Sequence, residues 1–323
     1  ECYDPKSREN VLANTYPIEI DMVKELNELE DVLVKHNVKV YRPKVINDYN
    51  QIFSRDIGFV IDDFLWEGPA QQLINSVFGE DIIGVNQPER LFKIIQVNNK
   101  EFKSILKTHT NIVIVFRESR SFWQPNKWAA GQYVAGICWD GNSRAFLNTL
   151  MDLRSKFIIK ERDFIRKSLK KRSQKKAEKE RKKNFNADCI IPEKYQVLKN
   201  TSSLFWANYD PEKSEEIINI ITFSFSIDSL FNHEDVLKKT DSVFSRHLKG
   251  YKKNTYVRIE PGYKPHYSQN IHRGLWKLEN GFMGGPFIIK SYQWKNKIIV
   301  NAGLVFAPQS RKRKYIKEFE AIL

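Results

Sequence analysis

Apolar residues recur along this chain with two periods, and the switches between them divide it into elements. Between Pro17 and His36, Met22, Val23, Leu26, Leu29, Val32 and Leu33 fall at helical spacing, which lines one face of a helix with apolar side chains. A strand is predicted from Ile57, and Pro69 opens a short helix carrying Leu73, Ile74, Val77 and Phe78. Leu91 to Val97 reads as a strand, and Lys100 to Thr108 as a helix that buries Phe102, Ile105 and Leu106. Asn111 to Arg117 and Tyr133 to Trp139 read as further strands, separated by a polar loop. A long helix begins at Asn142, and Tyr195 to Lys199 and Leu204 to Tyr209 are extended beyond it. From Leu91 to Lys199 the order is β-α-β-β-α-β, the ferredoxin-like arrangement. It returns loosely: Ile217 to Ile227, a helix from Glu234 to Leu248, Thr255 to Glu260, a meander from Arg273 to Ala307 and a helix from Arg311 to Ile322. The expectation is an α+β protein made of two ferredoxin-like antiparallel sheet halves, residues 63–210 and 211–323, each with helices on one face.

Within the meander, Arg273 to Phe287 is the most distinctive stretch. Arg273 to Glu279 alternates as a strand, Glu279-Asn280-Gly281 has turn chemistry, and Met283-Gly284-Gly285-Pro286 opens the next strand. Consecutive glycines in a strand mark a bulge or the close approach of another group to the backbone. One reading is a bulge beneath a packed Trp276. The sharper reading is a ligand-facing loop in which Arg273, Trp276, Met283 and the amides of Gly284 and Gly285 meet an anion.

Composition changes this picture in one place. The chain has 323 residues, 41% hydrophobic, enough to bury a sizeable core in more than one domain. Its net charge is +14, yet Arg154 to Lys183 alone holds 15 basic and 4 acidic residues, so the basic character is local. From Lys170 to Lys183 the only apolar residue is Ala177. This end of a helix spanning 142–183 is therefore expected to leave the core and project into solvent. Lys170, Lys171, Arg172, Lys175, Lys176, Lys179, Lys182 and Lys183 are the candidate contacts to an anionic membrane surface or an acidic protein partner. Nucleic acid fits less well, because the tip lacks the interleaved aromatic residues on which bases stack.

Candidate reactive groups are sparse. Cys2, Cys138 and Cys189 are too scattered for a disulfide framework or a zinc site. His266 and His272 flank the glycine-rich stretch at a spacing that matches no helical metal motif, and each reads as a strand or loop histidine. Asp62 with Asp63, and Glu215 with Glu216, are neighbours whose side chains point to opposite faces of a strand. No cofactor or metal is expected. No apolar run is long enough to span a bilayer, and Glu1 begins without the features of a signal peptide, so the expectation is either a cytoplasmic chain or one whose start is missing.

Two resemblances refine this. Cys2-Tyr-Asp-Pro-Lys-Ser-Arg8, Val38-Lys-Val-Tyr-Arg-Pro43 and Asn50 to Asp62 resemble one blade of the amidinotransferase and arginine deiminase superfamily. Those enzymes are α/β propellers that use a Cys nucleophile on guanidino substrates. The resemblance implies a propeller-blade fragment over residues 1–62, with Arg55 and Asp56 as the remnant of the substrate pocket. The Cys and His context that such chemistry needs is not found later in the chain, so the reading leans away from an enzyme. From about Gly58, Phe59 to Gly68, Gln87-Pro-Glu89, Lys127-Trp-Ala129 with Gln132, Ile191-Pro192, Arg273-Gly-Leu-Trp276, Met283 to Phe287, Ala307-Pro308 and Lys312-Arg313 resemble the Bacteroidetes lipoprotein family known as domain of unknown function 4837. That resemblance implies a lipid-anchored protein of the cell envelope, binding or structural. The two resemblances meet at Asp56 to Asp63, where a fragment of one gene is expected to be joined to another, by genuine fusion or by faulty assembly.

Overall fold

The computed structural model describes residues 68–99, 102–117, 121–212, 214–227 and 232–323, the backbone of 57–61, and scattered helical positions between 24 and 36. The chain divides into two compact units, Glu1–Phe53 and Ser54–Leu323. In the first, the described helix closes with the His36 N–H donated to the Val32 carbonyl at 3.2 Å. Arg55 and Asp56, which the blade resemblance singled out, lie outside the described residues, as does Cys2.

The second unit mixes helices and strands around two sheets. The first sheet holds β1 (Ile57–Ile61), β2 (Ile94–Asn98), β3 (Asn111–Phe116), β4 (Phe122–Pro125) and β5 (Tyr133–Cys138) in the order β2-β1-β3-β5-β4. Helix α1 (Pro69–Phe78) connects β1 to β2, and α2 (Ser143–Lys171) follows β5. Strands β2, β1, β3 and β5 are parallel, and only β4 runs antiparallel, against β5. This corrects the expected antiparallel half. Ile57–Ile61, read above with the blade fragment, is a central strand with Ile57 opposite both Ile94 and Asn111. A strand that returns parallel needs a crossover, and α1 supplies it. On one face, Ile74, Val77 and Phe78 of α1 meet Phe146, Leu150, Leu153 and Phe157 of α2 over Val113, Val115, Ala135 and Ile137. On the other face Val97, Ile112 and Val134 pack with Phe102. Strand β3 is thus apolar on both sides, as parallel strands are. The helix expected over 100–108 is a 3₁₀ turn, Ser104–Thr108.

The second sheet is antiparallel throughout. It contains β6 (Gln196–Asn200), β7 (Leu204–Tyr209), β8 (Ile217–Ser226), β9 (Tyr256–Ile259), β10 (His266–Ser268), β11 (Ile271–Glu279), β12 (Gly284–Trp294) and β13 (Lys297–Phe306). Its order is β10-β11-β12-β13-β8-β7-β6, with β9 beside β11. Helices cover both of its faces, where helices on one face were expected. Along β13, Ile298, Val300, Ala302 and Leu304 turn toward Val236 and Phe244 of α4 (His233–His247). Ile299 and Val305 turn the other way, toward α3 (Lys175–Phe185) and α5 (Arg313–Ile322). Successive side chains of β13 thus alternate between the two faces, as a strand's period of two requires.

The basic helix of the sequence is two helices. Asn142 caps α2 by accepting the Ala145 N–H at 3.1 Å, the expected role of a polar N-cap. After Lys171 the chain leaves helical geometry, and Ser173 bridges to Pro192. The Gln174 N–H is donated to the Ile191 carbonyl at 2.8 Å, and the Glu193 N–H to the Arg172 carbonyl at 3.1 Å. These bonds turn the chain so that α3 lies on the second sheet. No described helix is long and apolar enough to cross a membrane.

Candidate interaction surface

The glycine-rich stretch is a packing seam between β11 and β12. Two cross-strand pairs set an aromatic residue against a glycine, Gly274 opposite Phe287 and Trp276 opposite Gly285. The Phe287 ring fills the space over Gly274, and a Cβ on Gly285 would overlap the Val305 carbonyl oxygen. The Trp276 indole crosses this gap and donates Nε1–H to the same carbonyl at 3.2 Å. Next along β12 is Pro286, which has no N–H to offer the ladder, so the indole supplies the donor there. Trp276 is buried, with Met283 packed against its cluster. A Cβ at Gly284 would press on the Trp276 carbonyl. Arg273 is 2.8 Å from Glu320 on α5. These residues pack on one another across an unbroken β11–β12 register, with no bulge at the paired glycines.

The basic elbow is arranged differently. Ala177, Arg181 and Phe185 are buried, at 8%, 0% and 0% exposure, and they repeat every fourth residue along one face of α3. With Ala177 its only apolar residue, the tip is expected from sequence to stand away from the core, and instead it is seated on the sheet. The charged member of the triplet hid the stripe. Its helical spacing between Ala177 and Phe185 was the available signal.

Arg181 reaches the sheet at a cross-strand pair, Thr222 of β8 opposite Asn301 of β13. Its Nη2–H groups are donated to Thr222 Oγ1 and, at 2.9 Å, to Asn301 Oδ1. The guanidinium lies 5.0 Å from the centre of the Phe205 ring, a cation–π contact. Arg181 Nε and Nη1 and Asn301 Nδ2 have no hydrogen-bond partner among the described residues. Burial lowers the Arg181 pKa, while Cys189, Tyr292 and Glu178 pull it upward. The same burial pushes the Cys189 thiol up, against the pull of Arg181. Cys189 is therefore a core thiol held in its neutral form, the opposite of a nucleophile's setting.

The outer face of α3 carries the charge. Lys175, Lys176, Lys179, Lys182 and Lys183 are exposed and occupy roughly a third of the helix circumference. Lys170, Lys171 and Arg172 extend the same exposure through the elbow. The two acidic residues of α3 sit at the edges of this face and are engaged inward. Glu178 accepts the Ile191 N–H at 3.1 Å, and Glu180 accepts from Asn200 Nδ2. Lys175 is partly engaged, donating to the Lys170 carbonyl at 2.9 Å and to Ser173 Oγ at 2.6 Å. All eight candidate cations are thus brought to one exposed elbow, mounted on a helix whose opposite face is locked to the sheet.

The unit is a mixed α and β protein of two sheets, and two family models divide it at this elbow. Residues 173–323 match a family described as a domain of unknown function (DUF4837). Residues 54–176 match a second, also described as a domain of unknown function (DUF8532). The resemblance drawn from the sequence alone is narrowed accordingly. Its motifs from Ile191-Pro192 onward fall within the first match, and those from Phe59 to Gln132 fall within the second. No curated protein matches the chain, and neither family description carries a reaction.

Proposed function

We propose that this chain is a binding protein of the cell envelope, lipid-anchored like the family it resembles, which lays the α2–α3 elbow on an anionic membrane surface. The observation that supports this reading is the fixed outer face of α3, where lysines are exposed and both glutamates are engaged at the edges. A docked helix presents its cations without first having to fold, so little conformational entropy opposes contact. Each basic residue near an anionic surface contributes about 1 kcal/mol, within a Debye length. The test is co-sedimentation of the protein with vesicles of phosphatidylcholine alone or with about one third phosphatidylglycerol. Binding is expected only to the anionic vesicles and should fade as salt rises. Replacing Lys176, Lys179, Lys182 and Lys183 together by Gln should weaken it at least about tenfold without moving the unfolding midpoint. Equal binding to neutral vesicles, or an unaffected quadruple variant, would overturn the reading.

A further inference from the structure

A second concentration of positive charge lies away from the elbow, in a cleft of about 690 Å³. One wall is the segment from Gln87 to Ile94, and the other is the approach to α5 at Arg311 and Arg313. The walls come from the two stretches that match different family models. Clefts between such parts are common ligand sites, and this volume falls in their usual range of roughly 300–1,000 Å³.

Arg90, Lys93, Arg311 and Arg313 all line this cleft, and among the described residues Glu89 is the only carboxylate that does. Glu89 is already engaged, accepting the backbone N–H groups of Lys312 and Arg313 at 2.6 and 2.8 Å. Those are the amides at the start of α5, so the carboxylate is held at the positive end of the helix and is not turned on the guanidinium groups. Arg90 is fixed by a hydrogen bond to the Gly79 carbonyl and a 3.5 Å ion pair with Asp81. Arg313 is fixed by a 3.3 Å bond to the Arg90 carbonyl, and Arg311 stands exposed at the rim. Phe92 and Ile94 supply an apolar surface, and the amides of Asn75 and Gln87 line the same space.

We propose that this cleft binds a small organic phosphate. Guanidinium groups are planar forks that match phosphate oxygens two at a time. Three arginines and a lysine around one space suit a group with more than one negative charge. The apolar floor and the volume leave room for an organic part beyond the phosphate.

The test is titration calorimetry of the chain with inorganic pyrophosphate, at ionic strength held constant with sodium chloride. Saturable binding at one site is expected. A double variant, Arg311→Gln with Arg313→Gln, should weaken it at least about tenfold while its unfolding midpoint stays within error of the parent. The α3 quadruple lysine variant should bind pyrophosphate as the parent does, whether or not the protein binds vesicles, so this site and the membrane reading fail separately. No saturable heat, an unaffected double variant, or loss of binding in the α3 variant would each overturn the assignment.

Discussion

At the β11–β12 seam the second sheet packs closely because side chains are missing, whereas under α3 it packs closely around a side chain that carries a charge. Gly274 and Gly285 leave room that Phe287 and Trp276 fill from the neighbouring strand. On the other face, Arg181 is fully buried against Thr222, Asn301 and Phe205. Missing bulk leaves a mark in sequence, because glycine pairs beside aromatic residues are unusual in a strand. A buried cation leaves none, since arginine is ordinarily a surface residue. At the seam, glycines and aromatic rings pack on one another, while the elbow, expected as a free arm, is seated on the sheet along one side.

The largest effect that could break this comparison is at the seam. Gly285→Val places a branched side chain against the Val305 carbonyl oxygen and displaces the Trp276 indole. We expect a loss of about 3–5 kcal/mol in chemical unfolding. A loss below about 1 kcal/mol would show that the strands part easily there and that the contact between Gly285 and Val305 does not set the packing of the seam.

The next effect separates charge from shape under α3. Arg181→Ala removes the guanidinium, opens a cavity and strips Thr222 and Asn301 of a partner. This should lower stability by about 2–4 kcal/mol. Arg181→Met keeps the length and sheds the charge, and it should cost no more than about 1 kcal/mol, because buried ions are often replaceable by apolar groups of similar size. If methionine were as damaging as alanine in the same unfolding series, the charge itself would hold α3 in its seat.

Much of the architecture was legible because it rests on local period. Strands β7, β8 and β13 and helices α1, α4 and α5 stand close to where apolar spacing puts them, and Asn142 marks the start of α2. What period does not record is partnership. Nothing in Ile57–Ile61 says that it lies between β2 and β3, and assigning it to the preceding stretch left an element order that looked ferredoxin-like. Phe122–Pro125 was lost in a polar loop because it is a short edge strand with two exposed positions. At the candidate surface, the eight exposed cations were found by composition alone. The residue that fixes their platform was missed, because helical spacing had been counted over apolar residues only.

His272 gives the smallest and most specific test, a polar core residue that meets burial by losing its charge. It lies on β11 opposite Ile289 and stands among aromatic rings, 4.6 Å from Tyr267 and 5.7 Å from His233 between centroids. Burial, with His233 close by, lowers its pKa to about 4 from the ordinary 6.5, against a weak upward pull from the His233 backbone. The unfolded chain therefore binds this proton first as pH falls. Stability from the neutral imidazole is fully present above pH 6.5, declines between 6.5 and about 4, and is gone below. His272→Leu should remove that share of the slope. Between pH 7 and 5.5 the parent should lose about 1 kcal/mol more than the variant, since each pKa unit is worth about 1.4 kcal/mol. Parallel curves for the two proteins over that interval would mean that His272 protonates as readily folded as unfolded. The aromatic cluster would then be open to water.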